Sequence, residues 1–205
     1  MQNMTPSTEI ITLGQIAKIQ ENLGAGLRKS GILKDAMQMA LQYNGPAIIR
    51  AMVEAVRKCA ERFRYMIVRH VTVDRNQNPF DALKETGCNL YVFNYLVETM
   101  PKGNGTEVDV FFFKLGYPVD NVGLENEYEL RGFKPADPYS LVKANKDDHT
   151  LADKHPNCTY WRNSKGEMCL ISFDQWRSGN RDVGIRYSDN KSLWSEYQWF
   201  AGIPK

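Results

Sequence analysis

The sequence predicts an α+β fold, and three observations support this prediction. Apolar side chains recur at helical spacing within residues 1–64, strand-like and helix-like segments alternate within 65–145, and a period of two governs 157–203. We therefore expect N-terminal helices, a central strand–helix–strand unit and a C-terminal antiparallel β-meander. No tract of biased composition separates these regions, so residues 1–205 are predicted to form a single compact domain.

Three helices are predicted in the N-terminal region. Thr12 and Gln15 have the spacing of a capping box, in which each side chain binds a backbone N–H of the first turn. The second helix is predicted to stop at Asn44-Gly45, and Pro46 to begin a third helix, where its missing N–H costs nothing. The apolar stripe of this third helix comprises Ile49, Met52, Val53, Val56, Ala60 and Phe63.

The central region contains two strong strand signals, "YMIVRHVTVD" and "VDVFFFKL". Between them, "PFDALKETG" predicts a short helix, and "NLYVFNYLVETM" is also predicted to be helical. This order is typical of a right-handed parallel crossover. Three successive phenylalanines would be costly on an exposed face, so the second strand is predicted to lie inside the sheet. Asp120 and Asp137 are predicted to cap two further helices.

Four strand-like segments follow near the C-terminus: "CTYWRN", "EMCLISF", "RDVGIRY" and "LWSEYQWFAGI". Turn residues separate them at 164–166, 179–180 and 189–190, which predicts the antiparallel meander. The four tryptophans of the chain all lie in this last quarter: Trp161, Trp176, Trp194 and Trp199. Arginines are interleaved with them: Arg162, Arg177, Arg181 and Arg186.

Alternation along the last segment predicts two different faces. Leu193, Tyr197 and Trp199 share a face that is apolar enough to be core, whereas Trp194 and Phe200 share the other face. Aromatic and arginine side chains on a sheet can stack on bases and bind phosphates. The predicted ligand-binding residues are therefore Trp161, Arg162, Arg186, Trp194 and Phe200. The alternative is that this second face is covered by the N-terminal helices.

His70-Val71-Thr72 resembles one half of a phosphoesterase motif in which two His-x-Thr units flank a phosphodiester. One histidine would act as general base and the other as general acid. The second candidate, His149-Thr150, lacks the spacer residue. The alternative is that His70 is an ordinary strand histidine held by a hydrogen bond. His70 and Thr72 therefore remain weak catalytic candidates.

Two histidines and two cysteines have the ligand types of a zinc site: His149, His155, Cys158 and Cys169. No tight knuckle contributes two ligands, and Met168 and Leu170 flank Cys169 as in a buried strand. The alternative is buried thiols and surface histidines. We expect no metal and no cofactor, and four free cysteines in a reducing compartment.

The formal net charge of +2 is unevenly distributed along the chain. Basic minus acidic side chains give 11 − 6 = +5 for residues 1–75, 7 − 12 = −5 for 76–150 and 8 − 6 = +2 for 151–205. These charges would pair either within the fold or head to tail between copies, which makes a homo-oligomer one expectation. The sequence shows no membrane-spanning run and no signal-peptide core, so a cytoplasmic location is expected.

The phrases "YELRGFKPADPYSL" and "WFAG" resemble a set of uncharacterised bacterial proteins. That resemblance implies no activity, cofactor or catalytic residue. The leading hypothesis is a non-enzymatic cytoplasmic binding protein that recognises nucleic acid or another protein through the Trp/Arg side of its C-terminal sheet. Two alternatives remain: a small hydrolase or phosphoesterase that uses His70, and a self-assembling structural protein.

Overall fold

The computed structural model describes residues 10–175, 179–188 and 193–205. These residues have an α+β fold with 42% helix and 26% strand, as the sequence predicts. Two compact units are distinguished, Thr5–Arg64 and Tyr65–Lys205. Each is described by itself, and the expectation of a single domain stays a prediction. Among the described residues, no helix combines the length and the apolar character that crossing a bilayer requires.

The N-terminal unit contains two helices, α1 (Leu13–Lys29) and α2 (Lys34–Glu61). The capping box of Thr12 and Gln15 is confirmed at the start of α1. The prediction that Pro46 begins a third helix is wrong, because α2 continues through it. Asn44 and Gly45 before Pro46 also disfavour a helix, but the stretches 34–42 and 50–61 on either side are rich in helix-forming residues. Neither helix contains a buried residue.

The C-terminal unit is built around one mixed sheet. In chain order its elements are β1 (Ile67–Thr72), α3 (Pro79–Lys84), β2 (Asn89–Val92), α4 (Asn94–Val97), β3 (Glu107–Lys114), α5 (Asn121–Leu130), β4 (Phe133–Pro135), α6 (Pro138–Asp147), α7 (Leu151–Lys154), β5 (Asn157–Arg162), β6 (Met168–Gln175), β7 (Arg181–Tyr187) and β8 (Trp199–Pro204). The predicted caps of α5 and α6 are confirmed, since the Asp120 and Asp137 carboxylates accept backbone N–H bonds.

The strand order is β1-β3-β8-β5-β6-β7-β2, with β4 pairing a free part of β8. Strands β5, β6 and β7 form the predicted antiparallel meander. The fourth segment departs from it, because β8 returns to the middle of the sheet, parallel to β5 and antiparallel to β3. Strand β3 is interior, as its phenylalanines predict, and all of its ladder to β1 is antiparallel. The expected parallel crossover between β1 and β3 is therefore wrong.

The segment "NLYVFNYLVETM" is also not a single helix. Its first residues form β2, parallel to β7, and only Asn94–Val97 are helical. The spacing of apolar residues in this run fits a helix and a strand equally well. Pairing with β7 makes its first part a strand, and Leu90 and Val92 of this strand pack against the core.

The sheet has two unlike faces. On the first, which we call the helical face, Val110, Trp199 and Ile171 pack against helices α3, α4, α6 and α7. On the second, the α5 face, Phe113 and Phe200 pack against α5 at the centre of the sheet. Towards both outer edges of the α5 face the side chains become polar.

A buried arginine connects the loop before β3 to α6. Arg75 forms an ion pair with Asp137, and the exposed fractions of the two side chains are only 13% and 7%. The Arg75 guanidinium also donates to Ser140 and to the carbonyl oxygens of Lys102 and Gly105. Gly103 lies against Asp137 with a φ of +72°, so a side chain there would overlap the carboxylate.

Gly103→Ala should therefore lower the free energy of unfolding more than Gly105→Ala. Both glycines have a positive φ, which costs a non-glycine residue about 1 kcal/mol. A Cβ at Gly105 comes no closer than 3.9 Å to the carbonyl oxygen of Glu107, whereas a Cβ at Gly103 also disturbs the buried ion pair. Breaking such a pair costs about 3 kcal/mol or more. If urea denaturation gave the same loss of unfolding free energy for both variants, the hydrogen bonds and ion pair of Arg75 would contribute little to stability.

Candidate functional site

Three of the five predicted ligand-binding residues are buried. Trp161 belongs to the core of the helical face, and its indole Nε1 donates to Thr99 over 3.2 Å. Trp194 donates to Asn121 Oδ1 over 2.7 Å and packs edge-to-face on Phe200, which is 0% exposed. These rings are therefore not available for stacking on a base.

The alternation expected for the last segment holds only from Trp199 onward. Trp199 is core, as predicted, but Leu193 and Tyr197 are 63% and 75% exposed, so placing them in the core was wrong. The reason is that β8 begins only at Trp199, and the residues just before it form a turn. The face of Trp194 and Phe200 is covered by α5. Trp176, Arg177 and the turn predicted at 189–190 lie outside the described residues.

Trp161 and Arg162 line a cleft of about 430 Å³ together with Tyr160 and Lys134. Burial raises the pKa of the Tyr160 hydroxyl to about 12, so it stays protonated. Arg162 is already engaged, because its guanidinium pairs with Glu125 and donates to the Gly166 carbonyl. Asp137 of this cleft is paired with Arg75, so of the charged residues that line it only Lys134 lacks an ion-pair partner among the described residues.

His70 lies on the open flank of the α5 face over β1 and β3. Its ring nitrogens contact Asp109 at 2.9 Å and Glu107 at 2.7 Å, and Thr72 donates to Glu107. Its neighbour Arg69 points to the opposite face, where it binds Asp148, the residue before His149. The two His-x-Thr candidates are therefore not brought together.

The four candidate zinc ligands are also dispersed. Cys158 is buried in the core of the α5 face and Cys169 in that of the helical face, because they occupy opposite faces of β5 and β6. His155 packs edge-to-face on Trp199, and His149 is exposed. Within the part of the chain that the structure describes, no three histidine, cysteine or acidic side chains gather as metal ligands.

The other open flank of the α5 face forms a groove over β2, β6 and β7. It has a volume of about 560 Å³. We call it the polar groove, and its lining residues are Tyr91, Ser172, Asp174, Asn180, Asp182, Gly184 and Arg186. Of the predicted ligand-binding residues, only Arg186 lies here.

Strand register determines the shape of the polar groove. Gly184 lies opposite Ser172 on one side and Tyr91 on the other. A Cβ at Gly184 would meet Ser172 Oγ at 3.4 Å, so any larger side chain would fill the floor. Asp174 and Asp182 are directly opposed across β6 and β7, which places their Cβ atoms about 5 Å apart.

The charges of the polar groove are only partly compensated. Burial raises the pKa of Asp174 above its ordinary value, and the neighbouring Asp182 adds to this effect. The Arg186 guanidinium and the hydrogen bond to Ser172 act in the opposite direction. Asp182 accepts a 2.9 Å hydrogen bond from Asn89. Arg186 forms no ion pair within 4.0 Å with another described residue. A carboxyl with a shifted pKa beside an arginine in an open groove is a candidate for a binding or catalytic site.

Sequence reasoning missed every groove residue except Arg186. Tyr91 and Asn89 were assigned to a helix, which hid their alternation. Asp174 lies near the end of one predicted strand and Asp182 near the start of the next, with a turn between them. In an antiparallel hairpin such residues face each other, and this pattern could have predicted the pair. Ser172 and Gly184 interrupt apolar strands on the same face, and small residues within strands mark a close approach.

Comparisons of the chain with protein-family models, with curated proteins and with solved structures return no match. The resemblance to bacterial proteins based on "YELRGFKPADPYSL" therefore contributes nothing to the functional argument.

In an NMR titration, His70 should show a pKa above that of an ordinary histidine and His155 a pKa below it. Hydrogen bonds that the His70 ring donates to Asp109 and Glu107 raise the pKa of His70, whereas burial and nearby Arg69 lower the pKa of His155. His70 thus stabilises the fold fully below about pH 6.5, and this contribution is lost as pH rises through its raised pKa. The contribution of neutral His155 is lost as pH falls through its lowered pKa.

Asp109→Asn is the control for this titration. It should return the His70 midpoint towards the ordinary value and leave that of His155 unchanged. A wild-type His70 midpoint at or below that of the unfolded chain would contradict the contacts described for its ring.

Proposed function

We propose that this protein is a non-enzymatic binding protein whose ligand occupies the polar groove. The observation that carries the proposal is the open floor at Gly184, with an opposed carboxylate pair at one end and Arg186 at the other. The proposed site lies on the side of the C-terminal sheet that the sequence predicts. Polar side chains form it, however, and the predicted tryptophans are buried elsewhere. Binding sites typically combine a concave surface with a few convergent polar groups.

The two ends of the polar groove favour a zwitterionic ligand. Asp174 and Asp182 accept hydrogen bonds and attract a cation, whereas Arg186 matches a carboxylate through two parallel N–H bonds. Arg186 lies four residues beyond Asp182, about 13 Å along β7. An extended dipeptide spans about 7 Å, so the proposal requires the Asp182 and Arg186 side chains to reach inward over the remainder. We therefore assign amino acids or short peptides as the ligand class.

Nucleic acid fits this groove less well. Two carboxylates face one guanidinium, so a phosphate backbone would meet net negative charge. The rings that would stack on bases are buried at Trp161, Trp194 and Phe200. Salt-sensitive retention on single-stranded DNA that depends on Arg186 would overturn the ligand class proposed above.

Glycylglycine should bind in isothermal titration calorimetry, and its two blocked forms should bind at least about 10-fold more weakly. Glycylglycine amide lacks the carboxylate for Arg186, and N-acetylglycylglycine lacks the ammonium for Asp174 and Asp182. A hydrogen bond to a charged group contributes about 1.5–3 kcal/mol, which corresponds to 10-fold or more. No heat from glycylglycine at millimolar concentration would refute the proposal.

Asp174→Asn should lose glycylglycine binding by a similar factor without losing stability. Because burial raises the pKa of Asp174, its ionisation lowers the free energy of unfolding as pH rises, so asparagine should fold at least as stably. The matched control is Asp109→Asn, which removes one carboxylate from the other flank of the same face. If the two variants bound equally well, the polar groove would not be the site.

Glycylglycine affinity should also fall as pH is lowered through the pKa of Asp174. The ammonium group needs the ionised carboxylate, and the raised pKa moves this loss to a higher pH than an exposed aspartate would give. In Asp174→Asn the corresponding phase should be absent. A wild-type profile that is flat down to the ordinary aspartate range, near pH 3.9, would contradict this role.

A further inference from the structure

Strands β4 and β5 lie along the same edge of β8 but do not pair with each other. The ladder between β5 and β8 ends at Cys158, and beyond it the partner of β8 is β4. Among the described strands, no ladder joins β4 to β5. A hydrogen bond of 2.6 Å from Thr159 Oγ1 to the Ala136 carbonyl closes one end of the space between them. We call the cleft of about 430 Å³ between residues 134–136 and 160–162 the strand gap.

The edge of β5 directs backbone hydrogen-bonding groups into the strand gap. The Asn163 N–H donates to the Glu167 carbonyl over 3.0 Å, so in the same register Trp161 exchanges its backbone bonds with β6. The N–H and C=O groups of the alternate residues, Tyr160 and Arg162, therefore point away from β6 and towards the strand gap. Such an edge is a template for an added strand.

Side chains from both faces of the sheet line the strand gap. Trp161 belongs to the helical face and Tyr160 to the α5 face. Lys134 lies opposite Ile203, which packs against the core of the helical face, so the Lys134 side chain is on that face too. A strand within the gap would direct its side chains alternately to these two faces. The strand gap thus has the form of a position from which one strand is missing.

Two polar side chains of the strand gap have no partner. Tyr160 is only 8% exposed, and its hydroxyl makes no hydrogen bond to any described residue. The charges that act on this hydroxyl are those of Glu125 and Arg162, which both line the gap. Lys134 is exposed and forms no ion pair within the described part of the chain. A buried hydroxyl without a partner is costly, so a ligand that supplies an acceptor is favoured.

We propose that the strand gap binds an extended peptide segment as an added strand, with an acidic residue between two strand-forming residues. In the antiparallel direction, the outer two peptide residues exchange backbone bonds with Tyr160 and Arg162, which are about 7 Å apart. The central residue then shares the helical face with Trp161 and directs its carboxylate to Lys134. Threonine suits the outer positions, because it favours a strand and its hydroxyl can accept from Tyr160.

A free amino acid or dipeptide fits the strand gap less well than a blocked peptide. Glu125 and Asp137 are already paired with Arg162 and Arg75, so an ammonium group meets no unpaired carboxylate. A blocked peptide, in turn, lacks the two charged ends that the polar groove requires. The two sites therefore differ in ligand, and each can be measured without the other.

Amide NMR spectra of the ¹⁵N-labelled full chain test the proposal with the blocked peptide acetyl-Thr-Glu-Thr-amide. The largest shifts should occur at residues 160–162 and 134. Glutamine in place of the peptide glutamate should raise the dissociation constant about 2- to 5-fold, as expected for loss of an exposed ion pair. N-methylation of the last threonine removes the N–H that faces the Tyr160 carbonyl, and it should raise the dissociation constant at least about 5-fold.

Two variants connect this binding to the side chains of the strand gap. Lys134→Gln should abolish the preference for glutamate over glutamine, whereas the matched control Lys165→Gln, in the exposed turn after β5, should keep it. Tyr160→Phe should weaken binding about 2- to 10-fold. Because the hydroxyl has no partner in the free protein, this variant should fold at least as stably as the wild type.

Hydrogen exchange of the free protein shows whether the strand gap is open. The amides of Tyr160 and Arg162 should exchange at least about 10-fold faster than that of Trp161, which bonds to β6. Protection of all three would mean that another part of the chain or a second copy fills the gap, and it would overturn the proposal.

Three results of the peptide titration would also overturn the proposal. These are the absence of shifts at 160–162, equal binding of the N-methylated peptide, and a preference for glutamate that persists in Lys134→Gln. Glycylglycine binding is measured separately, so failure here leaves the polar groove untouched.

Discussion

The structure of the C-terminal unit depends on the insertion of its last strand into the middle of the sheet. Strand β8 pairs with β3 on one side and with β5 and β4 on the other. A strand in this position is covered on both faces, so Trp199 and Ala201 join one core while Phe200 joins the other. The aromatic density near the C-terminus follows from this double burial. The Tyr128 hydroxyl connects α5 to β8 by donating a hydrogen bond to the Ala201 carbonyl.

The same topology explains where a site can form. One helix, α5, covers only the centre of its face, and the ring of Phe113 packs edge-to-face on Tyr128 there. The sheet extends beyond this cover on both sides, so its outer strands carry polar side chains on that face. One flank holds His70 between two carboxylates, each with a partner. The other flank is the polar groove, where Asp174 and Arg186 remain available to a ligand.

Local signals in the sequence predicted the helices and strands better than they predicted which strands pair with each other. The caps at Thr12, Asp120 and Asp137, the interior position of β3 and the β5–β7 meander were all predictable, because each depends on neighbouring residues or on period. The place of β8 was not, since the continuous apolar run at 199–203 is typical of a strand covered on both faces but does not indicate which strands lie beside it. The polar groove was missed for the same reason, because its residues meet only through the long-range register of β2, β6 and β7.

NMR mapping of the backbone amides tests directly whether the polar groove binds a zwitterionic ligand. Glycylglycine would be titrated into the uniformly ¹⁵N-labelled full chain while the backbone amide shifts are followed. The largest shifts should occur along Asn89–Val92, 172–174 and 182–186. Shifts centred on β1 and β3, on the cleft of Trp161 and Arg162, or on no region in particular would contradict it.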